Sequence, residues 1–223
     1  MEAGAGMEVR RARAPVEHAA AAALRAAVFF TYPLDLEEGL YIGPQAEASR
    51  AAWLDRQAAA ELRKMQAVPG CCCLVALTEG SGTDGVPGQL GDMHNARAGR
   101  VVGTLHYTVD NPRATLRGQD ALPLSTRSSD LAYLFNICVA QDHRRSGIGG
   151  AMIREAHEQL EQQGVKEAFV HVEDDNVAGQ EFYRGLGYHE TTLEVDSWTY
   201  ISGGGGGEGG RSLLSRRLDP GIF

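Results

Sequence analysis

The sequence predicts a mixed α/β fold in which helices pack in layers on a sheet. Segments rich in β-branched and apolar residues, which are typical of strands, alternate with segments whose apolar residues recur at helical spacing. Their order is strand, two helices, three strands, helix, strand, helix, strand. One strand–helix–strand unit therefore lies late in the chain, as in layered α/β domains.

Local signals bound the elements of the first half. Pro15 suits the first turn of a helix, and the Ala-rich segment after it has high helix propensity. Pro33 ends that helix, and Pro69-Gly70 breaks the next one. β-Propensity then predicts three strands. The predicted elements are a strand over 8–14, helices over 16–29 and 46–65, and strands over 71–78, 101–110 and 131–139.

The second half is more regular. Gly147 opens an amphipathic helix that runs to about Gln163, and Gly164 suits its C-terminal end. After it we expect strands over 167–173 and 188–197, separated by a short helix. That helix is predicted over about 176–186.

The short helix presents two stripes. One stripe, predicted to face the core, has residues at i, i+4 and i+8: Ala178, Phe182 and Leu186. The neighbouring stripe holds Asn176, Gly179 and Tyr183, and Gly179 is expected to leave open space one turn before Tyr183. Asp174 or Asp175 is the predicted N-cap.

We predict a single domain over 1–223. Two polar segments, near 79–99 and 111–129, are rich in turn-forming residues and indicate long surface insertions. Gly203–Gly210 has the composition of a flexible linker. The tail over Ser212–Phe223 has no predicted structure.

Composition narrows the function classes. The formal net charge is -8, which disfavours nucleic acid as the main partner. An acidic surface suits amines and basic peptides, although the charge could equally serve solubility alone. No run reaches the roughly 18 apolar residues of a membrane span. The four cysteines lack the spacing of a disulfide framework or a zinc site, so we expect buried reduced thiols.

The segment from Leu134 to Gly150 carries the strongest chemical signal. A strand runs into a turn with adjacent arginines and glycines, followed by an amphipathic helix. Free amides at a helix start, the helix dipole and the arginines together favour a pyrophosphate. The glycine spacing fits neither a dinucleotide fingerprint nor a P-loop. The candidate phosphate-binding residues are Arg144, Arg145, Ser146, Gly147, Ile148, Gly149 and Gly150.

This turn resembles the Arg/Gln-x-x-Gly-x-Gly/Ala pattern of the GNAT acetyltransferases. A second family motif, Asn-x-x-Ala-x-x-Phe-Tyr-x-x-x-Gly-Phe/Tyr, follows in the expected order and departs only at Gly179, where the family usually has Ala. The resemblance covers about 101–197. The matching residues of the second motif are Asn176, Phe182, Tyr183, Gly187 and Tyr188.

The resemblance implies a GNAT fold, with a central, mostly antiparallel mixed sheet flanked by about four helices. A V-shaped split is expected between the fourth and fifth strands. It also implies acetyl-CoA as co-substrate and no metal. Tyr183 corresponds to the tyrosine that protonates the departing thiolate, and both Tyr183 and Asn176 are expected to contact the cofactor. Backbone groups of the fourth strand are expected to bind the cofactor, at Ile137, Cys138 and Val139.

The general base is open. His171 and Glu173 share one face of a strand, and either could accept the amine proton. His106 and Tyr107 are further candidates with less support.

The segment Leu134–Val139 also resembles the bacterial ribosomal-protein alanine N-acetyltransferases. The block Tyr133–Val139, together with Val170–Glu173 and the Asp-Asn that follows, resembles the plastid acetyltransferases of plants and green algae. The resemblance implies protein lysine or N-terminal amines as acceptors, with serotonin-type arylalkylamines second. A non-catalytic acyl-CoA sensor and a plain interaction module are the alternatives from other classes. The plastid resemblance further implies a chloroplast stroma location with a transit peptide removed, the cytoplasm being the alternative. The oligomeric state is not predicted.

Overall fold

The computed structural model describes residues 6–30, 44–68, 70–78, 99–109, 128–191 and 210–218. Pro33 and nearly all of the two predicted insertions and of the glycine-rich segment lie outside these residues.

Four α-helices and seven strands form in the described residues, in the predicted order with one strand added. The helices are α1 (Pro15–Phe29), α2 (Pro44–Gln66), α3 (Ile148–Gln162) and α4 (Val177–Gly185). The strands are β1 (Met7–Arg11), β2 (Cys71–Thr78), β3 (Arg100–Val109), β4 (Leu131–Val139), β5 (Glu167–Glu173), β6 (His189–Glu190) and β7 (Arg211–Arg217).

The strand order is β1-β2-β3-β4-β5-β7-β6. β1 and β2 pair antiparallel, whereas β4 and β5 pair parallel, so the sheet is mixed as predicted. The β4–β5 ladder covers Leu131–Leu134 of β4, and Asn136 just beyond it has a φ of 53°. Regular pairing with β5 therefore stops partway along β4, in agreement with the expected split.

The described residues group into two compact units. The first comprises Met1–Ala67, Cys73–Thr104 and Ile137–Met152. In it α1 packs against α2, and Ala21 lies in a buried cluster with side chains of β2. Pro15 opens α1, as predicted, and the Glu17 carboxylate accepts the N–H of Ala14 at 3.4 Å, next to the first turn.

The second unit comprises Val68–Cys72, Leu105–Asn136 and Ile153–Phe223. β5 is its central strand, because β4 pairs with one edge of it and β7 pairs antiparallel along the whole of its other edge. β6 extends the sheet beyond β7. Gly164 follows α3 with a φ of 79°, which confirms the predicted end of that helix.

The sequence left the structure of the C-terminal tail open, and the structure shows a strand there. Arg211–Arg217 forms β7, in which Leu214 is fully buried. The segment has few apolar residues, so its strand conformation depends on hydrogen bonds to β5 more than on its own composition. The strand predicted over 188–197 appears as β6, while residues 192–197 lie outside the described part.

All four cysteines are thiols in described strands, and Cys73 and Cys138 are buried. Across the ranges that the structure covers, no helix is long and apolar enough to cross a membrane. The same ranges hold no group of three or more side chains that could bind a metal ion.

Candidate functional site

The turn between β4 and α3 presents its backbone to solvent. Arg144, Arg145, Ser146 and Gly147 are all exposed. Arg145 and Gly147 have φ values of 63° and 84°, in the left-handed region. A Cβ atom at Gly147 would meet no heavy atom of the described residues within 4 Å, so these residues let a ligand approach this backbone closely.

Side chains hold the turn in place. The Arg144 Nε donates to the Val139 carbonyl at the end of β4, at 3.2 Å, and the Ser146 hydroxyl donates to the His143 carbonyl. The first helical hydrogen bond of α3 runs from the Ala151 N–H to the Gly147 carbonyl, at 3.0 Å. The amides that precede Ala151 therefore have no acceptor within the helix and carry its positive dipole end.

The start of α3 is packed on its inner side. Ile148 is only 3% exposed, so what it can offer a ligand is its N–H and not its side chain. A Cβ atom on Gly103 of β3 would lie 3.0 Å from the Met152 side chain and 3.1 Å from that of Ile148. This close approach fixes the first turns of α3. Gly150 is buried with it, and Gly149 is partly exposed.

The residues of this turn fit a phosphate group. They combine exposed guanidinium groups, amides without an acceptor inside the helix and open space at Gly147, which together suit an anion. The predicted phosphate-binding residues thus lie together in the first unit.

Cys138 in β4 is unsuited to nucleophilic chemistry. Its side chain is 6% exposed, and burial raises the pKa of its thiol to about 12. The thiol therefore stays protonated at physiological pH. Its neighbours Ile137 and Val139 are partly exposed. These three positions offer backbone groups and not reactive side chains.

Asn176 is the N-cap of α4, so the predicted cap at Asp174 or Asp175 is wrong. The Asn176 Oδ1 accepts the Gly179 N–H at 2.9 Å. Asp174 instead accepts the Ser212 hydroxyl of β7 at 2.8 Å. The expected open space at Gly179 is also absent, because a Cβ atom there would lie 2.5 Å from the Asn176 Nδ2.

The core face of α4 differs from the predicted stripe. Ala178 is exposed, and Phe182 and Leu186 are only partly buried, whereas Tyr183 is 8% exposed. The buried face passes through Tyr183 because its ring packs edge-on against Tyr188, with the ring centroids 5.6 Å apart.

Tyr183 combines burial with an uncommitted hydroxyl group. Burial, together with the neighbouring tyrosines, raises its pKa well above the ordinary value. The phenol therefore stays protonated at any physiological pH. Among the residues that the structure describes, its hydroxyl has no hydrogen-bond partner.

The two base candidates on β5 have different surroundings. His171 Nδ1 and the Tyr133 hydroxyl lie 3.0 Å apart in a hydrogen bond. Burial, aided by the charge of Arg211, lowers the pKa of His171 to about 4, so its imidazole is neutral at physiological pH. Glu173 is ion-paired with Arg211, the Oε1–Nη2 distance being 2.6 Å.

The minor candidates on β3 are deeply buried. His106 and Tyr107 are each 2% exposed. The Tyr107 hydroxyl already donates to the Gln159 Oε1 of α3, at 2.8 Å. Neither residue is retained as a base.

Sequence reasoning missed several side chains that contact the candidate residues. Tyr133 and His171 come from different strands, and their pairing depends on the β4–β5 register. Tyr188 was noted only as a motif position, and His157 was not noted at all, yet their side chains are hydrogen-bonded at 2.8 Å. The only sequence signal for His157 was a polar residue at an apolar position of α3.

The candidates thus fall in two places. The cofactor candidates from Ile137 to Gly150 lie in the first unit. Asn176 and the catalytic candidates His171, Glu173 and Tyr183 lie in the second.

Known proteins resemble this chain in both sequence and fold. Residues 86–188 match the Acetyltransferase (GNAT) family. The [ribosomal protein bS18]-alanine N-acetyltransferase of Escherichia coli K12 is 38% identical over 74 residues, which are 33% of this chain and 50% of that protein. The chloroplastic GCN5-related N-acetyltransferase 6 of Arabidopsis thaliana is 39% identical over 61 residues, or 27% of this chain and 21% of that protein.

The chain therefore spans about half the length of the bacterial relatives that it matches, and less of the plant one.

Two solved structures share the fold. A GCN5-related N-acetyltransferase from Kribbella flavida has a TM-score of 0.53 at 16% identity, covering 96% of this chain and 98% of its own. An acetyltransferase from Streptococcus agalactiae has a TM-score of 0.52 at 13% identity, covering 96% and 99%. The family match over residues 86–188 and the shared fold agree, so this part of the chain resembles the GNAT acetyltransferases.

Proposed function

We propose that this chain is an acetyl-CoA-dependent N-acetyltransferase acting on primary amines of proteins. The observation that carries the proposal is Tyr183, a buried, permanently protonated phenol without a hydrogen-bond partner in the described residues. The residues that match the family, 86–188, also include the exposed start of α3, which Arg144 and Arg145 precede.

Acetyl-CoA would supply the acetyl group as an activated thioester. Its pyrophosphate would be held by the amides of residues 145–150 and by the guanidinium groups of Arg144 and Arg145. Backbone groups of Ile137, Cys138 and Val139 would bind its amides. We retain Asn176 as a cofactor contact through its Nδ2, because its Oδ1 is committed to the cap of α4.

Tyr183 is assigned the role of proton donor to the departing thiolate. A donor must be protonated when the reaction reaches it, and the raised pKa of Tyr183 ensures this at all physiological pH values.

The amine must lose a proton as it attacks, since the pKa of a lysine amine is about 10.4 and that of an α-amine about 8. We assign this step to His171, a neutral imidazole whose orientation is set by Tyr133. Its low pKa makes it a transient acceptor, from which the proton passes to water. Glu173 is the alternative base, with its charge already balanced by Arg211.

Protein N-terminal α-amines are the favoured acceptors, with lysine second. The E. coli relative is named for acetylation of an alanine of a ribosomal protein, and the net charge of -8 suits basic partners. The Arabidopsis relatives are chloroplastic, and we propose the same location for this protein.

The test combines acetyl-CoA with peptides that carry either a free N-terminus or a blocked N-terminus and a lysine. Serotonin forms a separate arm. We expect amine-dependent thiol release and an acetylated peptide, with a large loss of kcat but retained cofactor binding in Tyr183→Phe. Cofactor binding without any product would favour a sensor. Unchanged binding in Arg144→Ala and Gly147→Asp would remove the phosphate assignment.

The base is tested by comparing His171→Gln with Glu173→Gln. If His171 accepts the proton, its variant loses about 100-fold in kcat/KM, within the range of general base catalysis, whereas Glu173→Gln loses much less. The reverse order would transfer the role to Glu173.

A further inference from the structure

The C-terminal end of α4 forms a capping motif that joins Tyr183 to Tyr188. The Tyr188 N–H donates to the Tyr183 carbonyl at 3.0 Å, and the Gly187 N–H donates to the Arg184 carbonyl at 2.9 Å. Gly187 adopts a φ of 82° between them. This is the Schellman arrangement, in which the residue after the glycine commonly packs on the residue five positions earlier. Here that contact is the edge-on packing of the Tyr188 ring on Tyr183.

Tyr188 is held from the far side by α3. Its side chain is 0% exposed, and its hydroxyl lies 2.8 Å from the His157 Nε2 in a hydrogen bond. His157 is 4% exposed. Burial lowers the pKa of His157 to about 4 and raises that of Tyr188, so both groups are neutral at physiological pH. The hydrogen bond therefore persists unchanged through that range.

β7 holds the same turn. The Arg216 Nη1 donates to the Leu186 carbonyl at 2.6 Å. The turn that follows α4 is thus hydrogen-bonded both to β7, through Leu186, and to α3, through Tyr188. These bonds hold the end of a helix that is only nine residues long.

We infer that His157 and Tyr188 are positioning residues for Tyr183. The inference rests on the proposed function, in which Tyr183 is the proton donor. Tyr183 has no hydrogen bond from its own hydroxyl among the described residues, so ring packing and the backbone must orient it. Tyr188 supplies a ring contact and a backbone hydrogen bond to Tyr183, and His157 fixes Tyr188.

The kinetic test uses Tyr188→Phe and His157→Phe, each made also in a Tyr183→Phe background. We expect kcat to fall about tenfold in each single variant, since small misplacements of a catalytic group reduce the rate by such factors. The KM for acetyl-CoA should stay within about twofold, because the groups that bind it are untouched. Neither substitution should lower kcat further once the Tyr183 hydroxyl is absent.

Tyr107→Phe is the matched control. It also removes a buried tyrosine hydroxyl that is bonded to α3, through Gln159, and it should lower Tm without changing kcat. Should His157→Phe fail to fold, Tyr188→Phe carries the test alone, because it removes a single oxygen atom.

The second readout does not depend on turnover. With tyrosine labelled by 13C at Cζ, the Tyr183 resonance is identified by its loss in Tyr183→Phe. It should shift or broaden in Tyr188→Phe and His157→Phe and stay in place in Tyr107→Phe. An unmoved Tyr183 resonance in both variants would overturn the inference, as would equal losses of kcat with and without the Tyr183 hydroxyl. A wild-type protein that acetylates no amine would refute the proposed function, and the resonance would still decide the positioning.

Discussion

Burial sets the protonation state of the titratable side chains around the candidate catalytic residues. It keeps the Tyr183 phenol protonated and the His171 imidazole neutral, which are the states that a proton donor and a proton acceptor need. It also keeps the Cys138 thiol protonated, which excludes a thiolate nucleophile at that position at physiological pH.

His157 should make stability depend on pH. Its pKa is about 4 in the folded chain, against 6.5 ordinarily. Between these values the unfolded chain binds a proton that the folded chain does not, so the free energy of unfolding should fall as pH falls from 6.5 to 4. The shift corresponds to about 3 kcal/mol. Urea unfolding at pH 7 and 4.5 measures it.

His157→Gln removes this titration while keeping a polar side chain. Its stability should fall less over the same window than that of the wild type. The remaining slope comes from other groups whose pKa the fold lowers, among them His171 and Glu17. Equal slopes in the two proteins would contradict the assignment.

Arg25 and Glu61 form a buried ion pair between α1 and α2. Their side chains are 1% and 5% exposed, and the Nε–Oε2 distance is 3.5 Å. Glu61→Gln leaves the guanidinium buried without its carboxylate, so we expect a loss of about 3–5 kcal/mol in chemical unfolding. The double variant Arg25→Met, Glu61→Leu removes both charges and should recover most of that loss. A double variant no more stable than Glu61→Gln would contradict this account.

At the scale of elements, the start of α4 depends on a glycine. The Asn176 side chain can lie across the first turn and accept the Gly179 N–H only because Gly179 has no Cβ. The alanine usual in the family at this position would displace it. The N-cap hydrogen bond of Asn176 therefore depends on the glycine at position 179.

A double-mutant cycle tests this coupling. Asn176→Ala should cost about 1 kcal/mol in the wild-type background, the usual value for loss of an N-cap. In the Gly179→Ala background the cap is already displaced, so the same substitution should cost less than half as much. Thermal unfolding of the four proteins measures both values. Additivity within about 0.3 kcal/mol would show that the two residues act independently.

At the scale of the whole molecule, the second unit depends on a strand from the end of the described chain. β7 pairs with every residue of β5 and supplies Leu214 to the core. It also contributes Arg211, paired with Glu173, and Arg216, bonded to the turn after α4.

A chain ending at residue 209 should therefore lose cooperative folding of the second unit, because one edge of β5 would be left unpaired and Leu214 would be missing from the core. Thermal unfolding followed by near-UV circular dichroism measures the loss. The control chain ends at Leu218, keeps β7 and should unfold within a few degrees of the full-length chain. A wild-type Tm for the shorter chain would contradict the dependence.

Prediction from sequence succeeded where a local signal acts within one segment. Pro15 opens α1 and Gly164 follows α3, because proline geometry and the left-handed conformation of glycine are properties of single residues. It failed at the buried face of α4. Periodicity in a helix of only nine residues did not separate the stripe of Ala178 from that of Tyr183.

The sequence by itself determined the order of the elements, the bounds of the central strands and helices and the residues of the β4–α3 turn. These follow from propensity, periodicity and glycine placement along the chain. Only the tertiary structure decided that Tyr133 meets His171, that His157 bonds Tyr188 and that β7 enters the sheet. Each of these is a contact between segments far apart in sequence, and strand register and packing, which no local pattern encodes, bring them together.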